Sequence, residues 1–161
     1  MRVWLGRDYP SVEEVVERRI ARYRELVADG SSVPDSVREA LRYAAERVPV
    51  AVVSGAAREE IEPVIEAAGL AASIRAIVGA EDVANGKPDP AGYLRALELL
   101  DGGLDAGEVV VFEDTEAGVS SAKAAGIRCI AVLGTLAPER LAAADEIVPA
   151  IDVELMQRLL G

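Results

Sequence analysis

The 161-residue sequence contains no histidine and a single cysteine, Cys129. The absence of histidine excludes a Ser-His-Asp triad, a Cys-His pair and any zinc site built on histidine. A lone cysteine cannot form an internal disulfide, and the apolar stretch RCIAVLG around it predicts a role in core packing. Acid–base or metal chemistry in this chain must therefore rest on carboxylates, lysine, tyrosine or backbone groups.

Long hydrophobic runs are also missing, although 51% of the residues are hydrophobic. No apolar stretch approaches the ~18 residues that a membrane span needs, and MRVWLGRDYP at the N-terminus lacks the apolar segment of a secretion signal. The formal net charge of −11 repels nucleic acid and anionic membrane surfaces. We therefore expect a cytoplasmic protein with no nucleic-acid or membrane partner.

Strand and helix patterns alternate along most of the chain. A capping box of Ser11 and Glu14 predicts a first helix that ends near Gly30, and a second helix opens near Pro34. The strands are continuous apolar runs, which is typical of strands covered on both faces. An α/β fold follows, with a parallel sheet and helices on both faces. The predicted strands are 49–53, 76–79, 109–112, 129–133 and 146–148, and the later helices are 57–68, 90–100, 116–125, 138–143 and 152–160.

Polar residues follow two of these strands, at the edge where parallel sheets bind ligands. In VAVVSGA, Ser54, Gly55 and Ala56 offer a hydroxyl and successive N–H groups that suit a phosphate. An ordinary N-cap serine is the alternative. In NGKPDP, Lys87 lies in a stiff loop, where it could neutralise a phosphoryl oxygen and the carboxylates around a metal. The alternative is a solvated surface lysine.

Two adjacent carboxylates, Glu113 and Asp114, end the most apolar strand, in VVVFEDTEAG. Because like charges repel, and repel more when buried, a positive partner should compensate them. Mg²⁺ suits this pair, since it binds one or two carboxylates and keeps several waters. Acidic residues in the first turn of a helix would explain Asp114 but not Glu113. The three stretches together predict a site for Mg²⁺ and a phosphoryl group at one sheet edge.

VVSGA, GKPDP and VFEDTEAGVSSAKAAGI resemble motifs two, three and four of the haloacid dehalogenase (HAD) superfamily. The resemblance is to its phosphatase and beta-phosphoglucomutase-like branch, and it implies a Rossmann-like core at 33–161 with residues 1–32 as the remnant of a helical cap. It also implies a small phosphorylated metabolite as substrate. By the family pattern Ser54 contacts the phosphoryl group, Lys87 stabilises its charge, and Glu113 and Asp114 hold Mg²⁺.

One part of the family pattern has no counterpart. The family nucleophile is an aspartate in a DxDGT-like motif on a first, central strand, and no such motif occurs here. The early Asp8, in LGRDYPSV, is interpreted as a loop residue of the cap. We therefore expect a truncated chain that cannot by itself carry out catalysis through an aspartyl-phosphate. The sheet should lack a strand between β-strands 49–53 and 109–112, and MRVWL, a partner chain or closure of these two strands should fill the gap.

Three functions fit these features of the sequence. The first is a Mg²⁺-dependent phosphatase or sugar-phosphate mutase, of which this chain is an inactive portion. The second is a non-catalytic protein that keeps the metal and phosphate pocket. The third is a receiver-like phosphorylation domain, which is disfavoured because its acidic pair ends the first strand and its lysine comes last. The missing strand also favours a homodimer.

Overall fold

The computed structural model describes residues 11–100 and 104–161. Within them, α-helices and β-strands alternate much as the sequence predicts. The helices are α1 (Val12–Val27), α2 (Asp35–Ala45), α3 (Arg58–Ala67), α4 (Ala91–Leu100), α5 (Glu116–Ala124) and α6 (Val153–Leu160). The strands are β1 (Ala51–Val53), β2 (Ala76–Val78), β3 (Val110–Glu113), β4 (Arg128–Val132) and β5 (Glu146–Val148).

The ends of several helices follow from local sequence. The predicted capping box is present, with Ser11 Oγ accepting from the Glu14 N–H at 3.2 Å. Gly69 and Gly126 end α3 and α5 with φ of 67° and 75°, a conformation that favours glycine. The helix predicted at 138–143 is instead a short 3₁₀ helix, Pro138–Leu141, closed by i to i+3 hydrogen bonds such as that from the Arg140 N–H to the Ala137 carbonyl oxygen at 3.0 Å.

The strands form parallel sheets, as predicted, but two of them. β1 pairs with β2, and β3, β4 and β5 form a second sheet in that order. Within the described ranges β1 and β3 do not pair, so one of the three alternatives given for the gap, closure of these two strands on each other, is wrong. Helices that pack on both faces hold the two edges on either side of an apolar cleft. The segment MRVWL and Asp8 lie outside the described residues.

Helices cover both faces of the strands. On one face α2 and α6 pack together over Phe112 and Val132, and Ile61 and Ile65 of α3 pack on the first sheet. On the other face α4 and α5 share a core cluster with Cys129. Cys129 is fully buried, as its predicted packing role requires, and burial raises the pKa of its thiol to about 11. Across the described parts of the chain, no helix is long and apolar enough to cross a membrane.

Candidate phosphate and metal site

Lys87 links the two sheets at the carboxyl ends of their inner strands. Its Nζ donates to the carbonyl oxygen of Val53, the last residue of β1, at 3.1 Å. The same Nζ forms an ion pair with Oε1 of Glu113, the last residue of β3. Because Val53 directly precedes Ser54 and Glu113 directly precedes Asp114, the structure brings the three predicted stretches to one edge.

The loop that carries Lys87 is fixed by hydrogen bonds at its far end. Asp89 Oδ1 accepts from the N–H of Ala91 at 2.9 Å, at the start of α4. The fully buried Ser121 of α5 donates from Oγ to the carbonyl oxygen of Asp89 at 2.7 Å. These contacts tie the loop to two helices, so the position of the ammonium group is set by the core and not by solvent.

Glu113 is enclosed by donors, which explains how a strand can end on a carboxylate that is only 7% exposed. Its Oε1 accepts from Lys87 Nζ and from the Tyr93 hydroxyl, and its Oε2 accepts from Thr115 Oγ1 at 3.3 Å. Its carboxylate also lies against Gly118 in the first turns of α5, where a Cβ atom would overlap it. A buried charge that is paired and hydrogen-bonded in this way avoids most of its desolvation penalty.

Tyr93, like Thr115 and Thr135, is a residue of this site that was not predicted from the sequence. It is 5% exposed on α4 and donates its hydroxyl hydrogen to Glu113. Burial, and then the hydrogen bond to Glu113, raise the pKa of Tyr93, so the phenol stays a neutral donor. The Lys87 Nζ lies 5.2 Å from the centroid of its ring, within cation–π range. A usable signal was present, because a tyrosine at a buried helix position needs a partner for its hydroxyl.

Asp114 is the exposed member of the acidic pair. Its Oδ2 accepts from Thr135 Oγ1, in the loop after β4, at 2.5 Å. In residues 11–100 and 104–161 no cluster of three or more Asp, Glu, Cys or His side chains could hold a metal. A single exposed carboxylate nevertheless fits Mg²⁺, which completes its shell with water. Asp114 therefore fits as a ligand, whereas Glu113, the other predicted ligand, already has its oxygens engaged by protein donors.

The predicted phosphate-binding turn lies beside Lys87, after β1. Ser54 Oγ accepts from the N–H of Ala56 at 3.1 Å, so these two groups are paired with each other. A Cβ built on Gly55 meets nothing within 4 Å, which shows that the backbone there faces open space. At the start of α3, the N–H of Arg58 donates to Glu81 Oε1 at 2.9 Å. A carboxylate thus already uses one amide of this helix end, and Gly55 is the open part of the turn.

Comparisons with known proteins identify the family. The family profile described as "Haloacid dehalogenase-like hydrolase" matches residues 4–132. Validoxylamine A 7'-phosphate phosphatase from Streptomyces hygroscopicus subsp. limoneus is 38% identical over 99 residues, which are 62% of this chain and 46% of that protein. Hexitol phosphatase B from Escherichia coli strain K12 is 36% identical over 130 residues, 80% of this chain and 56% of that protein.

Solved structures give the same result. A mutant of CbbY from Rhodobacter sphaeroides, in complex with xylulose-(1,5)bisphosphate, is 25% identical with a TM-score of 0.77, over 94% of this chain and 71% of that one. A HAD-superfamily hydrolase, subfamily IA, variant 1 from Geobacter sulfurreducens PCA is 27% identical with a TM-score of 0.71, over 91% and 70%. The chain spans about half the length of the curated relatives it matches. It belongs to the haloacid dehalogenase-like hydrolase family and is related to phosphatases.

Proposed function

We propose that Ser54–Ala56, Lys87 and Asp114 form the phosphate and Mg²⁺ site of a phosphatase or sugar-phosphate mutase that acts on a small phosphorylated metabolite. The observation that supports this most strongly is the position of Lys87, which contacts the last residues of β1 and β3 at once. Its charge lies between the turn that follows β1 and the carboxylate that follows β3. The similarity to the two phosphatases described above supports the same class of reaction.

Each group has a distinct part in this proposal. The Lys87 ammonium offsets the negative charge of a phosphoryl group, and the open backbone at Gly55 with the Ser54 hydroxyl orients its oxygens. Asp114 holds Mg²⁺, which when bound supplies positive charge against the phosphoryl oxygens. Glu113 anchors Lys87, and it would reach a metal only through Oε2, whose one partner in the described residues is Thr115.

We further propose that this chain does not turn over substrate alone. The sequence contains no DxDGT-like motif and no histidine that could replace its aspartate. A non-catalytic protein that binds metal and phosphate has the same site and differs only in turnover. A cytoplasmic location is part of this proposal, and the separate edges of β1 and β3 in the described residues support association with another chain, a homodimer being the simplest form.

Thermal unfolding with ligands tests the site without requiring turnover. Mg²⁺ together with inorganic phosphate should raise the melting temperature, because both bind the folded chain. At about 100 times the dissociation constant the gain is about 2.7 kcal/mol, or roughly 5–10 °C for a chain of this size. Asp114→Asn should remove most of the gain, because the variant lacks the proposed ligand charge.

Asp145→Asn is the matched control, since the same chemical change lies at the opposite edge of the sheet. Asp145 Oδ2 accepts from the N–H of Cys129, near the start of β4, and this bond and Lys123 hold the pKa of its carboxyl below the usual range. The control should lower the starting melting temperature but keep the ligand-induced gain. Absence of any gain in the parent chain would contradict the proposed site.

A further inference from the structure

Asp114, the proposed metal ligand, is held by a residue that follows the next strand of the sheet. Thr135 Oγ1, in the loop after β4, donates to Asp114 Oδ2 at 2.5 Å, although 21 positions separate the two residues in the sequence. Because β3 and β4 are parallel neighbours, the loops that follow them leave the sheet at the same edge. The contact therefore joins the metal ligand to a second loop at the edge that carries Lys87.

The loop that carries Thr135 is anchored at both ends. Before it, the N–H of Leu133 donates to the carbonyl oxygen of Val148 at 3.0 Å, which extends the pairing of β4 with β5. After it, Leu141 is fully buried in the core cluster that includes residues of α5. The backbone on either side of Thr135 is thus fixed by the core, and its hydroxyl reaches Asp114 from a defined position.

Two features within the loop direct it toward Asp114. Gly134 has a φ of 135°, a backbone conformation that favours glycine, and a Cβ built on it meets nothing within 4 Å. The path of the chain, and not crowding, therefore favours glycine directly before Thr135. Further along, Arg140 forms an ion pair with Glu116 in the first turn of α5. This pair ties the end of the loop to the helix that begins beside Asp114.

The hydrogen bond between Thr135 and Asp114 contributes little to the stability of the fold. Both residues are exposed, so water competes for their polar groups. The nearby pair of Arg140 and Glu116 has side chains that are 59% and 49% exposed, and such surface ion pairs are weak. The bond does fix the orientation of the carboxylate, because Oδ2 is engaged while Oδ1 has no hydrogen-bond partner in residues 11–100 and 104–161.

The orientation of a carboxylate matters differently to Mg²⁺ and to Ca²⁺. Mg²⁺ demands near-ideal octahedral geometry and keeps several waters, so it suits one carboxylate oxygen that is held in place. Ca²⁺ accepts flexible geometry and binds a carboxylate through one oxygen or through both. Chelation through both oxygens needs both of them turned toward the ion, and the Thr135 hydroxyl holds one oxygen of Asp114. The contact therefore favours the ion that needs a single, fixed oxygen.

We propose that Thr135 is a positioning residue that holds Asp114 for binding through one oxygen and thereby favours Mg²⁺ over Ca²⁺ at this site. The inference rests on the function proposed above, because it takes Asp114 as the metal ligand. Thr135 acts through Oδ2 of Asp114 and does not itself bind the ion. Neighbouring groups that orient a metal ligand typically change metal affinity by about 10- to 100-fold.

Displacement of Mn²⁺ tests the proposal on the full chain without requiring turnover. Carboxylate and water ligands suit Mn²⁺ as well as Mg²⁺ and Ca²⁺, and electron paramagnetic resonance counts the free Mn²⁺ directly. The Mn²⁺ binding that Asp114→Asn removes defines the site. Mg²⁺ or Ca²⁺ is then titrated in, and the ratio of the two half-displacing concentrations gives the selectivity of each chain, independent of its affinity for Mn²⁺.

Thr135→Val removes the hydroxyl and keeps the shape of the side chain. It should raise the ratio of half-displacing Mg²⁺ to half-displacing Ca²⁺ by about tenfold or more, whereas Thr135→Ser, which keeps a hydroxyl, should stay within about threefold of the parent. Ser73→Ala is the matched hydroxyl deletion, since Ser73 precedes β2 at the opposite edge of the sheet, and it should leave the ratio unchanged. The melting curve without metal checks that each variant is folded, and Thr135→Ala gives a second hydroxyl deletion.

The outcomes separate this inference from the function on which it rests. Mn²⁺ binding to the parent chain that Asp114→Asn leaves intact would overturn both, because the ion would then bind elsewhere. Binding that needs Asp114, with an unchanged Mg²⁺ to Ca²⁺ ratio in Thr135→Val, would overturn the role of Thr135 alone. Loss of both Mn²⁺ and Ca²⁺ from a folded Thr135→Val chain would also overturn it, because Thr135 would then support the site without selecting the ion. Loss of Mn²⁺ with Ca²⁺ still raising the melting temperature would support it.

Discussion

At the scale of single residues, the two adjacent carboxylates Glu113 and Asp114 differ in how their negative charges are compensated. The sequence predicts that a positive group should compensate the pair, and Lys87 does so for Glu113. Asp114 points outward and keeps only Thr135 as its partner in the described residues. A buried tyrosine on a helix predicts that the Tyr93 hydroxyl needs a partner, but the identity of that partner depends on how α4 packs against the end of β3 and could not be predicted. One carboxylate thus holds the lysine, and the other is free to bind a cation.

Tyr93→Phe tests the first of these roles. The change removes a hydroxyl donor from a buried carboxylate and keeps the ring in place. Hydrogen bonds to charged groups contribute about 1.5–3 kcal/mol, so we expect the free energy of unfolding in urea to fall by a similar amount. Tyr23→Phe on α1 is the control, since this ring is at the surface, and its effect should be within about 0.5 kcal/mol. Equal stability of the two variants would show that the Tyr93 hydroxyl contributes nothing to holding Glu113.

At the scale of elements, the sequence predicts most of the secondary structure to within two residues at each end. The positions of helices and strands follow from continuous apolar runs and capping residues, and both are features of short stretches of sequence. The gap between β1 and β3 is anticipated from the missing family strand, but the division of the strands into two separate sheets is not. Whether β1 and β3 would meet depends on helices α2, α4 and α6, whose packing on both faces is a property of distant contacts.

Gly118→Ala tests the contact between β3 and α5. In a helix this change normally stabilises a protein by up to about 1 kcal/mol. Here the new Cβ would overlap the Glu113 carboxylate and force it away from Lys87. Overpacking of this kind costs about 1–3 kcal/mol, so we expect a net loss of stability in urea unfolding. Gly107→Ala is the control, because its Cβ would meet only Asp105 Oδ1, at 3.6 Å. A more stable Gly118→Ala chain would contradict the packing described.

At the scale of the whole molecule, a net charge of −11 opposes the binding of a phosphorylated ligand. Lys87 alone does little to reverse the negative field at the site, because its own positive charge is already paired with Glu113. A cation at Asp114 would change the local balance, and so phosphate and Mg²⁺ should bind together better than apart. This coupling follows from charge and position, and the sequence predicts it as soon as the three stretches are assigned to one edge.

The most direct test of a joint site is isothermal titration of inorganic phosphate with and without Mg²⁺. Coupling between neighbouring sites is typically 5- to 150-fold in affinity, about 1–3 kcal/mol, and we expect Mg²⁺ to tighten phosphate binding within that range. The Asp114→Asn chain should show the same phosphate affinity in both buffers. Phosphate binding that is equally tight without Mg²⁺, or no phosphate binding in either buffer, would contradict a shared site at Lys87 and Asp114.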